Sequence, residues 1–179
     1  GLPAGAVDIT PGALGRLTHI DSHGFSGVWP DPANRAPDNL LRRGQWLTTI
    51  PLSGDFIVEQ AIHSLDVATW ILDADPIRAV ALGGHKVRPA NSIYDHFAVN
   101  YEFADRIPLS FTCIQSIPEV KDEIRARVFG SRGVIDTDYF GRVFIRGEEV
   151  FEGGDVGNPY TTGTQANIHE FHQFITEGK

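Results

Sequence analysis

The chain has 179 residues, 41% of them hydrophobic and 21% charged, with 15 Lys and Arg against 23 Asp and Glu for a formal net charge of −8. This is the composition of a folded domain, not of a disordered chain, and the acidic balance argues against nucleic acid as a partner, because phosphate binding needs a clustered basic surface. No run approaches the roughly 20 apolar residues of a membrane span, and the single Cys113 excludes a disulfide framework or a cysteine-based zinc site. There is no Met, so Gly1 does not read as a natural start, and residues 1–179 are expected to be one domain of a longer protein.

Residues 1–14, rich in Gly, Pro and Ala, read as a leading loop. Alternation over 15–25 predicts a strand, with Leu17, His19, Asp21 and His23 set against Thr18, Ile20 and Ser22. Residues 26–52 hold Pro30, Pro32, Pro37 and Pro51 and read as a long irregular connection. The segment 53–72 carries the strongest helical signal: Ile57, Ala61, Leu65, Ala68 and Leu72 recur at helical spacing. Ser53 or Asp55 can cap its start, and Asp73-Ala74-Asp75-Pro76 ends it.

A strand over 77–82 follows, broken by Gly83-Gly84. From Tyr94 the period is two, with Phe97, Val99, Tyr101 and Phe103 on one face and Ala98, Asn100 and Glu102 on the other. Ala104-Asp105-Arg106 reads as a hairpin turn, after which Ile107, Leu109, Phe111 and Cys113 continue the apolar face. Further strands are predicted over 123–130, 134–137 and 142–146. A glycine-rich loop (Gly153, Gly154, Gly157, Gly163) then leads to a helix over 164–176 with Ile168, Phe171, Phe174 and Ile175 as its apolar stripe. The fold class is therefore α+β: an open, mostly antiparallel β-sheet with helices packed on one face. The other face, bearing Asn100, Ser110, Thr112, Arg125 and Arg127, is left for water or a partner.

Opposite the apolar stripe of 53–72, Glu59, His63, Asp66 and Trp70 fall within about 60° of one another at 100° per residue. No Lys or Arg occurs between Arg43 and Arg78, so His63 is the carboxylates' only local counter-charge. The stripe is either a solvent face or a carboxylate–imidazole pair suited to moving a proton, with Asp66 available for the other ring nitrogen or a substrate hydroxyl. His19, Asp21 and His23 either line a cleft with this helix or sit at a sheet edge. His169 and His172 lack a third ligand, so no metal site is expected, although a hydrolase metal held by Glu59, His63, Asp66 and a strand histidine is an alternative. Cys113 reads as an inert core thiol. Neither Gly153-Gly154 nor Gly12-x-x-Gly15 occupies the strand-to-helix turn of a dinucleotide fingerprint.

The run from Ser53-Gly54-Asp55 through Glu59 and His63 to Asp66 resembles a motif of the glucose–fructose oxidoreductase / inositol dehydrogenase / rhizopine catabolism (Gfo/Idh/MocA) family: a glycine-rich turn, an acid, three residues, His, two residues, Asp. Tyr94-Asp95-His96-Phe97 before a hairpin, and the run from Val128-Phe129-Gly130 to Ile135, are similar to the same family's second domain. The resemblance spans residues 12–179. Here Glu59 stands where the family usually has Asp, and Ser53-Gly54-Asp55 where it usually has three glycines.

The resemblance implies that this chain is the C-terminal substrate-binding and oligomerisation domain, with the N-terminal Rossmann domain that binds NAD or NADP absent and no cofactor-binding residues of its own. It implies a sugar or polyol substrate, His63 as the proton-transfer residue, Glu59 as the group that orients it, and Asp66, Asp21, His23 and Trp46 as shapers of the substrate pocket. It also implies a homodimer or higher homo-oligomer through the open sheet face. The alternatives are an NAD-dependent glycosidase of the same family, or a non-catalytic dimerisation module. The expected compartment is the cytoplasm; some relatives are exported folded with their cofactor, and such a signal would lie upstream of Gly1.

Overall fold

The computed structural model describes residues 13–27, 46–88, 93–118, 121–151, 153 and 158–178. The leading loop before residue 13, most of the predicted 26–52 connection and much of the glycine-rich loop lie outside these residues. Among the described residues seven strands form a single sheet: β1 (Leu17–Ser26), β2 (Arg78–Gly84), β3 (His96–Glu102), β4 (Pro108–Gln115), β5 (Glu123–Gly130), β6 (Gly133–Asp138) and β7 (Val143–Gly147). Their order is β2-β3-β4-β1-β5-β6-β7. The sheet is open and mostly antiparallel, as the alternation predicts. The exception is β1, which lies between β4 and β5, parallel to the first and antiparallel to the second. The later strands are thus not one continuous meander.

Alternation fixes which side chains enter the core. In β4, Leu109, Phe111, Cys113 and Gln115 are buried, while Ser110 and Thr112 point the other way. The register carries this face across the sheet. Ile20 pairs with Leu109 and Val128, Val128 with Ile135, and Ile135 with Ile145. All five lie in the hydrophobic core. Burial pushes the Cys113 thiol up to about 12, as suits an unreactive core thiol.

Three helical pieces span 50–72, α1 (Ile50–Ser53), α2 (Phe56–Glu59) and α3 (Ile62–Leu72): α1 begins inside the stretch read as an irregular connection, and the predicted helix over 53–72 is broken into the other two. Gly54 closes α1 at φ +74°, in the left-handed region that glycine tolerates. Asp55 follows at φ 73°, ψ 166°. That region is essentially glycine's alone and costs other residues about 1–3 kcal/mol. The apolar stripe survives the breaks: Ala61, Leu65 and Ala68 are buried, and α3 packs on β1 and β5.

The last helix, α4 (Thr164–Glu177), has the predicted span. Its stripe nonetheless faces outward, with Ile168, Phe171, Phe174 and Ile175 each more than half exposed. Among the described residues it contacts chiefly the π-helical turn Pro159–Gly163 before it, not the sheet. No described helix is long and apolar enough to cross a membrane.

Gly130, inside the run shared with the family motif, has a steric reason to be glycine. A Cβ there would land on the Leu14 carbonyl oxygen, which is held in place by the Arg132 backbone N–H at 3.0 Å.

Candidate active site

The site is built where the helical segment breaks. The Asp55 carboxylate accepts the Phe56 N–H at 2.7 Å and, through both oxygens, the Tyr94 N–H at 3.1 Å. One side chain therefore caps α2 and ties it to the approach of β3. At the other end of α2 the Phe56 carbonyl accepts N–H groups from both Gln60 and Ala61, each at 3.0 Å. The bond to Ala61 spans five residues and makes a wide, π-like turn, a feature common at functional sites.

This turn rotates Gln60 inward. Its Oε1 accepts hydrogen bonds from Ser26 Oγ at 3.1 Å and from Gln115 Nε2 at 3.2 Å. Gln115 is fully buried, and its own Oε1 accepts from Arg88 Nη2 at 2.6 Å. The break is thus held by a polar network that satisfies buried groups from β1, β4 and the loop after β2.

Glu59 and His63 straddle the wide turn and so are not on one continuous helix, as the spacing had implied. Glu59 is half-buried, with Oε2 closed off from solvent and lacking a hydrogen-bond donor. Burial raises its pKa, and the charge of His63 pulls it part of the way back. His63 is exposed, and its ring stacks on Tyr139 at 5.5 Å between centroids and 29° between planes. No hydrogen bond or ion pair joins the two among the described residues; a half-buried carboxylate coupled by charge to an accessible imidazole can still stabilise the cation that forms when the imidazole takes a proton from a bound hydroxyl.

Asp66 is exposed one turn further along α3. It borders a cleft of about 280 Å³ shared with Ile62, Leu65, Thr69 and Tyr101, and an adjoining, more open one with Trp70 and Asp73. Glu59 and His63 line neither. Trp46 is 40% exposed in the turn before α1; among the described residues no ring contact joins it to His63.

Asp21 and His23 do not join this group. In β1 the side facing the helices is that of Ile20, Ser22 and Gly24, and a Cβ on Gly24 would point at Ala61. Side chains alternate along a strand, so Asp21 and His23 emerge on the opposite face. There Asp21 pairs with Arg127 at 3.2 Å, and His23 meets Glu123 at 3.0 Å and stacks on Phe25. The sheet itself separates them from His63, which corrects the expectation that they share a cleft with the helix.

Sequence reasoning missed Asp95, Gln60, Gln115, Tyr139 and Tyr160. The Tyr-Asp-His-Phe run did mark the neighbourhood of Asp95. Among the described residues no cluster of three or more His, Cys, Asp or Glu side chains could hold a metal ion. No described strand passes directly through a glycine-rich turn into a helix, the arrangement that cradles a dinucleotide pyrophosphate.

The two demands on Asp55 give a sharp test. Asp55→Ala keeps the strained backbone and loses the carboxylate's hydrogen bonds, whereas Asp55→Gly loses the bonds but relieves the strain. Asp55→Gly is expected to be the more stable of the two by about 1–2 kcal/mol in urea unfolding. The reverse order would show that the conformation carries no strain.

No curated protein matches this chain by sequence. Solved structures do. Levoglucosan dehydrogenase in complex with NADH and levoglucosan superposes with a TM-score of 0.70 at 16% identity, over 94% of this chain and 52% of that one. UDP-N-acetylglucosamine 3-dehydrogenase GnnA from Acidithiobacillus ferrooxidans gives 0.66 at 15% identity, over 93% and 46%. A super-repressor mutant of Gal80p from Saccharomyces cerevisiae gives 0.70 at 15% identity, over 93% and 46%. The chain thus spans about half the length of these proteins, and identity this low establishes a shared fold alone. At the level of sequence, the GFO/IDH/MocA C-terminal domain model matches residues 9–136. Because that match covers well over half of the chain and the sheet agrees with it, the chain belongs to the GFO/IDH/MocA C-terminal domain family.

Proposed function

We propose that this chain is the substrate-binding domain of an NAD(P)-dependent oxidoreductase acting on a sugar or polyol hydroxyl, with His63 as the proton-transfer residue. The observation that carries the reading is the half-buried Glu59, its Oε2 enclosed and without a donor, coupled by charge to the exposed His63. The nicotinamide, held by residues outside this chain, supplies the hydride acceptor when bound. His63 takes the hydroxyl proton, and Glu59 faces the imidazolium so formed. Asp66, at the mouth of the neighbouring clefts, offers an acceptor for a further hydroxyl. Sugar dehydrogenases among the structural neighbours support this substrate class. The test is oxidation of sugars and polyols by the complete protein with NAD or NADP, compared with its His63→Ala variant.

One observation favours a second reading. The fold is shared with a repressor, Gal80p, so the domain can be read as an interaction module without chemistry of its own. Unchanged turnover in His63→Ala would select that reading.

The outer sheet face supports self-association. Its charges are paired across strands: Arg125 with Asp136, Arg127 with Asp21, Arg78 with Glu102. Val80 and Leu82 on the edge strand are 63% and 80% exposed. A broad face whose charges are internally neutralised can meet its own copy about a two-fold axis. The chain is expected to form a homodimer burying roughly 1,200–2,000 Å² in total, and Leu82→Lys to weaken it. Light scattering over a wide dilution range checks this; a monomer at high concentration refutes it.

A further inference from the structure

Beside His63 the chain presents an aromatic wall that the proton-transfer chemistry leaves unused. Tyr139 and Phe140 occupy the turn between β6 and β7. Tyr160 comes from the π-helical turn before α4 and meets both, at centroid distances of 6.5 Å and 6.2 Å. Tyr139 stands edge-on to Phe140 at 5.0 Å, and its ring is the one stacked on His63.

Both turns are fixed by local hydrogen bonds. Asp138 Oδ1 accepts the Phe140 N–H at 3.0 Å, and the Asp138 carbonyl accepts the Gly141 N–H at 3.2 Å. Asn158 Oδ1 accepts the Tyr160 N–H at 3.0 Å, while its carbonyl accepts the N–H groups of Thr161 and Thr162, also at 3.0 Å. Tyr160 is nevertheless 66% exposed. A large ring carried on a hydrogen-bonded turn and left open to solvent, with only two side-chain torsions to fix, costs little entropy to engage a ligand.

We propose that Tyr160 and Phe140, backed by Tyr139, form a stacking platform for the apolar C–H face of a ring-form sugar, placed so that one of its hydroxyls meets His63. A pyranose with axial C–H bonds on one side offers an apolar face with hydroxyls around its rim. An aromatic face accepts the first while polar groups take the second. Continuity through Tyr139 to His63 selects a sugar over an arbitrary apolar ligand, because the wall ends at a group that exchanges protons with hydroxyls. The choice of a sugar and the placement of its reacting hydroxyl rest on the reading of His63 given above; the exposed aromatic surface itself does not.

Saturation-transfer NMR on the 179-residue chain tests the platform with methyl β-D-glucopyranoside, a ring with an apolar face, and D-sorbitol, which has hydroxyls and no ring. Saturation is expected on the axial C–H protons of the pyranoside, and less on sorbitol. Tyr160→Leu keeps apolar bulk but removes the π face. It and Phe140→Leu should each weaken pyranoside binding roughly three- to tenfold, while Tyr160→Phe preserves it. Absence of transfer in the native chain, equal transfer to sorbitol, or undiminished binding in Tyr160→Leu overturns the proposal. A His63→Ala variant that still binds the pyranoside through Tyr160, yet leaves turnover of the complete protein untouched, would remove the proton-transfer reading and leave the platform standing.

Discussion

His63→Ala in the complete protein should lower kcat by roughly 10²–10⁴, with a much smaller change in KM. The imidazole is exposed and stacked on Tyr139, so its removal opens no cavity in the core and the fold should persist, although the half-buried Glu59 loses its neighbouring charge. On the proposed function, what is lost is the acceptor for the hydroxyl proton, which is needed only as the carbinol is oxidised, so the effect falls on kcat. Glu59→Gln should cost less and shift the pH optimum, because it removes the charge that faces His63 while preserving shape. Steady-state kinetics across pH with a sugar or polyol substrate check both. If His63→Ala raises KM and leaves kcat alone, His63 binds substrate without moving its proton.

The parts of this molecule readable in advance are those governed by local periodicity. Leu109, Phe111 and Cys113 alternate because one side of β4 faces the core, and that pattern is visible residue by residue. The position of β1 between β4 and β5 is not, since its partners lie about a hundred residues away and alternation carries no partner information. The same limit hid the break at Gln60. A helix through 53–72 is what propensity and spacing favour. The wide turn wins because Gln60 gains hydrogen bonds from Ser26 and Gln115, remote groups that a continuous helix would leave unmatched. Asp21 and His23 were legible in part. Their alternation with the buried Ile20 already implied that they turn away from the core, and only the pull of two histidines toward catalysis suggested a cleft. The aromatic wall had no spacing signal, because Tyr139 and Tyr160 meet through tertiary packing of two separate turns.

Asp95→Ala should destabilise the chain by about 3 kcal/mol or more, a fall in Tm of roughly 6–12 °C. Asp95 is completely buried, and one of its oxygens accepts three consecutive backbone N–H groups: Lys86 at 2.6 Å, Val87 at 2.7 Å and Arg88 at 2.9 Å. The other oxygen meets His96 Nδ1 at 2.6 Å. The loop after β2 is therefore wrapped around a carboxylate, and that loop places Arg88 on Gln115, which in turn holds Gln60 at the wide turn. Burial alone would push the Asp95 carboxyl up. The hydrogen bonds from Arg88, His96, Lys86 and Val87 outweigh it and hold the group well below the usual aspartate range. A carboxyl depressed in the folded state stabilises the fold fully above its unfolded value, near 4, and loses that contribution as pH falls toward the folded one. The stability gap between the native chain and Asp95→Asn should thus be constant from neutrality down to about pH 5 and narrow below about pH 4. Urea unfolding of both chains across this range checks it. A gap that stays flat or widens in acid would mean that the charge on Asp95 does not hold the loop, leaving shape alone to account for its burial.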